Sequence, residues 1–133
     1  MELAQHIAIS QAANAAAAAT SAVESSIIDT ANYDGVIFVT TVAVANAGNN
    51  VTLQHNTANA TSGMAAIAGA AVVIAANNQQ VAIAVHKPTK RFLRAVITRT
   101  ASTATGGVHV ILYRSRKAPD AAGITALVSP INA

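Results

Sequence analysis

The side chains able to do acid–base or metal chemistry are few and far apart in this chain. It has five carboxylates, Glu2, Glu24, Asp29, Asp34 and Asp120, and four histidines, His6, His55, His86 and His109. Glycoside hydrolysis needs two carboxyl groups held about 5–10 Å apart across a scissile bond. No acid lies between Gly35 and Pro119, so most of the chain has none to offer. Asp29 and Asp34 bracket Thr30-Ala31-Asn32-Tyr33, and Asx side chains support turns there by accepting backbone N–H bonds. No two histidines stand at metal-ligand spacing and none has a carboxylate beside it, although His86 and His109 fall in strand-like segments and can face each other across a sheet. There is no G-x-S-x-G elbow, no phosphate-binding glycine loop and no cysteine for a disulfide or a thiolate metal site. The expectation is therefore no catalytic residue, no metal, no cofactor, no small-molecule substrate, and a protein that is not an enzyme.

The strongest chemical signal is the layout of charge. All eight basic residues, Lys87, Lys90, Arg91, Arg94, Arg99, Arg114, Arg116 and Lys117, fall within one span, while four of the five acids lie in the first 34 residues. The net charge of +3 thus divides into −4 over residues 1–86, +8 over 87–117 and −1 beyond. Single-sign blocks create a field that steers an oppositely charged partner. The alternative is intramolecular, with acidic early strands pairing to basic late ones or a merely solvated face. Phosphate binding needs Lys and Arg, but single-strand binders interleave stacking aromatics. Only Phe92 and Tyr113 stand near the block, so a surface for an acidic protein is favoured over one for nucleic acid. Arginine suits such a surface because its planar fork binds carboxylates bidentately. Arg91, Arg94, Arg99, Arg114, Arg116 and Lys117 form the expected partner-binding set.

These residues must be held by a core of unusual composition. Of 133 residues, 53% are hydrophobic and 10% charged, against about 25% charged in a typical soluble domain. Alanine accounts for 33 residues and hides little area, leaving 14 Val, 12 Ile and 5 Leu as the main core formers. The longest apolar run, Met64 to Ala76, spans 13 residues, short of the roughly 20 that a spanning helix needs. No basic residue precedes Lys87, so no secretory signal is expected, and a soluble protein with no membrane partner is read. A mean hydropathy of +0.44 with so few charges points to surface covered by another subunit.

Val, Ile and Thr together number 39 and favour a pleated surface. Strands are expected over Ser25–Thr30, Gly35–Ala45, Val51–Thr57, Ala71–Ala75, Gln80–His86, Arg91–Thr100 and Val108–Tyr113. A turn is expected at Ala47-Gly48-Asn49-Asn50 and a longer loop over Asn56–Ala70. Gln80–His86 alternates cleanly, with Val81, Ile83 and Val85 on one face and Ala82, Ala84 and His86 on the other. With no long amphipathic helix between strands, the fold class is all-β: a single antiparallel β-sandwich or jelly-roll-like domain. It spans 23–117, after an alanine-rich, partly extended N-terminal arm over 1–22 and before a C-terminal tail over 118–133 with anchors at Ile124 and Leu127-Val128.

Pro88-Thr89-Lys90-Arg91-Phe92-Leu93-Arg94-Ala95-Val96-Ile97-Thr98-Arg99 and Tyr113-Arg114-Ser115-Arg116-Lys117-Ala118-Pro119 carry a family resemblance. Together with Asp29-Thr30-Ala31-Asn32-Tyr33-Asp34-Gly35-Val36 and Val128-Ser129-Pro130, they resemble the capsid cement, or decoration, proteins of tailed bacteriophages. The resemblance runs over about residues 29–130 and does not reach the alanine-rich segment. It implies an all-β homotrimer, made in the bacterial host cytoplasm, bound outside the icosahedral shell to the major capsid protein near local threefold axes. It implies head stabilisation without enzymatic activity. A tail- or baseplate-associated β-domain is the alternative virion role, and a basic nucleic-acid-binding module the lesser one.

Overall fold

Strands rich in Val, Ile and Thr build two sheets packed face to face, and the described residues contain no helix. The computed structural model describes residues 7–114 and 124–128. β1 (Ile7–Ala13) and β2 (Ala16–Ala19) run as one broken strand along the first sheet. β3 (Val23–Glu24) and β4 (Ile28–Asp29) do the same along β9 of the second. Then come β5 (Gly35–Val42), β6 (Asn46–Asn56), β7 (Ala65–Ile74), β8 (Gln79–His86) and β9 (Phe92–Thr98). β10 (Thr103–Thr105) and β11 (Val108–Tyr113) share one flank of β5, and β12 (Ala126–Val128) lies beside β8.

With each broken pair counted once, eight strand positions precede β12. Their order is one, eight, three, six in the first sheet and two, seven, four, five in the second. This is the connectivity of a jelly roll. β12 is the exception to the antiparallel pattern, for it pairs parallel to β8 with Ala126 opposite Ile83 and Val128 opposite Val85. Thr125 starts that pairing, its N–H donating to the Ala82 carbonyl at 2.7 Å and its Oγ1 accepting from Ala82 N–H at 3.0 Å. A side chain added at Gly69 of β7 would touch Val128, so β12 closes the side of the sandwich between β7 and β8.

The inner faces make one core. Val36, Phe38, Val42, Val81, Ile83, Val108 and Val110 meet Val51, Leu53, Ile74, Leu93 and Ile97, all at 2% exposure or less. β8 is buried along both faces from Val81 to His86, so the alternation read from its sequence separates core from outer face without making that outer face wet.

Three expectations need correction. Of the alanine-rich arm, residues 7–19 are extended but belong to the domain: Ile7 pairs with Tyr113, Ser10 with Val110 and Ala19 with Thr103. Ser26 holds it from the other sheet, donating from N–H at 2.9 Å and Oγ at 3.2 Å to the Ala12 carbonyl. The turn expected at Ala47-Gly48-Asn49-Asn50 lies inside β6, where the register with β7 shifts between Asn46 and Asn50. Asn49 is fully buried there; its Oδ1 accepts from the N–H groups of Thr100 and Ala101, and its Nδ2 donates to Val44 O. A buried amide thus replaces ladder bonds that a bulge removes. The loop expected over Asn56–Ala70 is shorter, since β7 begins at Ala65. Asn56 folds that loop by donating to the carbonyls of Ala60 and Ser62.

Candidate functional site

Antiparallel alternation brings the 30–34, 57–64 and 87–91 connections and Arg114 to one end of the sandwich. The 20–22, 43–45, 75–78 and 99–102 connections lie at the other. Lys87, Lys90, Arg91 and Arg114 all occupy the first end. At the opposite end the charged residue among those connections is Arg99, which is buried.

The expected arginine set divides by what each guanidinium touches. Arg91 makes a bidentate pair with Asp29, Nε to Oδ1 at 2.7 Å and Nη2 to Oδ2 at 2.8 Å, with both side chains about half exposed. Its hydrogen bond, with a second from Ala31 N–H, holds the Asp29 carboxyl down at about 2. Asp29 therefore does the turn work expected of it, since Ala31 N–H donates to its Oδ1 at 2.9 Å. Arg94 lies on the outer face of the second sheet, with Nη1 2.7 Å from Glu24 Oε2 and Nε donating to Gln54 Oε1 at 2.8 Å. These two pairs join acidic early strands to the basic late strand, the intramolecular alternative considered for the charge blocks.

Arg99 is 5% exposed. It donates to the carbonyls of Ser21 at 2.6 Å, Ala17 at 2.8 Å and Thr103 at 2.8 Å. That guanidinium ties β2, the 20–22 connection and β10 together and does not reach a surface. Arg114 remains exposed, donating to Asn32 O at 2.9 Å and lying 5.0 Å above the Tyr33 ring. Arg116 and Lys117 lie outside the described residues.

Two concavities share the wall Lys87-Pro88-Thr89 at the cationic end. One is an open groove of about 510 Å³ between the 30–34 and 87–91 connections, bordered by Tyr33, Asp34, Lys87, Lys90 and Arg91. The other is a mostly apolar pocket of about 200 Å³ bounded by His55, Ile67, Ala68, Val85 and Val128. Lys87 has a φ of 53°, in the left-handed region, and its N–H donates to the Asp34 carbonyl at the head of β5. Burial, and then the nearby Lys90 charge, push the His55 pKa down.

His86 and His109 do not face each other. They lie opposite Gly35 and Val39, on either side of β5, roughly 13 Å apart along it at strand rise. His86 instead meets Tyr113, hydroxyl to Nδ1 at 2.8 Å, and burial pushes the Tyr113 pKa up to about 12. Among the described residues, no group of three His, Cys, Asp or Glu is placed to hold a metal ion, and no helix is long and apolar enough to cross a membrane. The apolar pocket, with His55 and Val128 on its wall, was not among the sequence-level candidates. Its lining comes from β6, β7, β8, β12 and the 87–89 connection, and no short motif encodes such a convergence. No family model matches the chain, and no curated protein does.

Proposed function

We propose that this chain is a structural virion protein: a cement, or decoration, protein on the outside of an icosahedral bacteriophage capsid. There it clamps neighbouring capsomers against the pressure of packaged DNA. The observation that carries this reading is the gathering of Lys87, Lys90, Arg91 and Arg114 at one end of a jelly roll, the first three lining a groove, while the described connections at the opposite end carry no exposed charge. An object charged at one end approaches an acidic shell in a preferred orientation. The stretches that resemble decoration proteins bear on the same end, since Pro88-Thr89-Lys90-Arg91 forms part of the groove wall and Arg114 leads into the second stretch. Jelly rolls serve capsids and lectins alike, so the fold supports the reading only by analogy.

The mechanism is adhesion. A homotrimer engaging three capsid subunits multiplies modest contacts through effective concentration, and separating capsomers then requires peeling it away. The outer face of the first sheet suits contact between copies. It presents Ile7, Ile9, Ile37, Val39 and Ile111 with no charged residue among its described positions, and Ile9 is 66% exposed.

Gel filtration of the pure protein, followed by co-sedimentation with expanded capsids of the phage whose genome encodes it, tests the reading. A trimer that pellets with shells is expected. A monomer that stays in the supernatant, or virions equally resistant to heat and osmotic shock without it, overturns the reading.

A further inference from the structure

We infer that the cationic groove and the adjoining apolar pocket form one composite site for an extended acidic peptide segment carrying a bulky apolar side chain, the peptide crossing the Lys87-Pro88-Thr89 ridge between them. The inference rests on the docking role proposed above and names the chemistry of the docked segment.

Four observations carry it. First, the two concavities share three residues, so one ligand can occupy both. Second, the ammonium groups of Lys87 and Lys90 have no hydrogen bond or ion pair among the described residues, whereas Arg91 is already paired with Asp29. Third, the pocket's roughly 200 Å³ suits one ring or branched aliphatic group, given that a cavity of about 150 Å³ lined by apolar side chains accepts benzene. Fourth, the Asp29 and Asp34 carboxylates stand among the cations. A continuous phosphate row would meet both, whereas a peptide can space its carboxylates and turn backbone N–H groups toward them. Nucleic acid would also bring into the pocket a base whose polar ring atoms find few partners on its mostly apolar wall. It would find few free stacking faces, because Arg114 covers Tyr33 and Arg91 lies 5.0 Å from the Phe92 ring centroid.

The test uses the full chain and fluorescence polarisation with three labelled probes. These are a hexapeptide of five acidic residues and one Phe, the same peptide with Ala for Phe, and a single-stranded oligonucleotide of equal charge. The Phe peptide is expected to bind saturably and at least about tenfold more tightly than the Ala peptide, in proportion to the apolar area of a buried ring. Binding should weaken about tenfold or more in Lys87→Glu/Lys90→Glu, and Ala68→Leu should erase the Phe preference while sparing the acidic component. Circular dichroism and the thermal midpoint verify that each variant folds.

Equal binding of the two peptides, or tighter binding of the oligonucleotide than of either, overturns the inference. Capsid co-sedimentation separates it from the docking role. Undiminished pelleting of Lys87→Glu/Lys90→Glu overturns the inference that this site docks the capsid and leaves the cement reading standing. Peptide binding by a protein that ignores capsids refutes the cement reading and leaves the site.

Discussion

The Tyr113 hydroxyl lies 2.8 Å from His86 Nδ1, and the two rings are within 7° of parallel. They belong to β11 and β8, the two strands flanking β5, so the contact must pass over β5. It does so at Gly35, which is opposite both residues in the register. A Cβ built at Gly35 would fall 2.1 Å from the Tyr113 hydroxyl oxygen, so the absence of a side chain there makes the contact possible.

Gly35→Ala is accordingly expected to destabilise the protein more than Tyr113→Phe. Tyr113→Phe removes one hydrogen bond, about 1 kcal/mol. Gly35→Ala forces the phenol to move and loses its packing as well, about 2–3 kcal/mol. Urea unfolding of Gly35→Ala, of Tyr113→Ala and of the double variant measures the coupling, and the Gly35→Ala cost should shrink when Tyr113→Ala is already present. The phenol also has a pH signature. Its pKa is raised by burial to about 12, so the folded state favours the neutral form. The associated stability is fully present below the ordinary tyrosine pKa near 10 and is lost as pH rises towards 12. Tyr113→Phe should flatten that part of the stability–pH curve.

Arg99 gives the largest expected loss. Its guanidinium meets three backbone carbonyls from separate segments, and removing it leaves buried acceptors unpaired. Arg99→Met should cost about 3 kcal/mol. Arg99→Lys should rescue little, because a single ammonium lacks the fork that reaches three directions. Chemical denaturation compares the two, and a cost below about 1 kcal/mol for Arg99→Met contradicts the stitching role.

Arg99 also marks where reading the sequence stops working. The alternation of Gln80–His86 is visible in the chain because period two is a local property, and β8 follows it with little change. The all-β class, the sandwich and the jelly-roll alternative follow from the same local signal repeated. Arg99 sits in a block of like charge, and charge alone suggests a surface. Its actual surroundings are carbonyls up to 82 residues away, set by tertiary packing. Asn49 fails for the same reason: among Gly and Asn neighbours it reads as a turn, yet its amide is a buried surrogate for strand hydrogen bonds. The opposite signs of early and late segments were legible, but the partners Asp29 with Arg91 and Glu24 with Arg94 follow only from β4 and β3 lying against β9.

The Asp29–Arg91 pair predicts a measurable titration. Arg91 and the Ala31 N–H favour the ionised carboxylate and hold its pKa at about 2. The interaction is therefore present above the ordinary carboxylate range and is lost as pH falls towards 2. Carbon-detected NMR should place the Asp29 midpoint near that value. In Arg91→Ala the midpoint should rise, while Ala31 N–H keeps it somewhat depressed. Since both side chains are about half exposed, the effect on global stability should be small, and a large one would mean that Arg91 supports the 30–34 connection by another route.

Thr105 predicts the opposite direction of change. It is 5% exposed, and its Oγ1 is a buried side-chain oxygen with no hydrogen-bond partner among the described residues. A buried hydroxyl without a partner carries its desolvation cost uncompensated, about 1–3 kcal/mol. Valine has nearly the same shape and β-branching and keeps the strand geometry of β10. Thr105→Val should therefore raise stability by about 1 kcal/mol, readable as a higher urea midpoint with an unchanged m-value. Thr40 provides the contrast. It is 4% exposed, but its Oγ1 donates to Gly106 O at 3.3 Å, so Thr40→Val should gain less or lose stability. Equal gains at both positions would show that burial of the methyl group, and not relief of an unpaired hydroxyl, sets the effect.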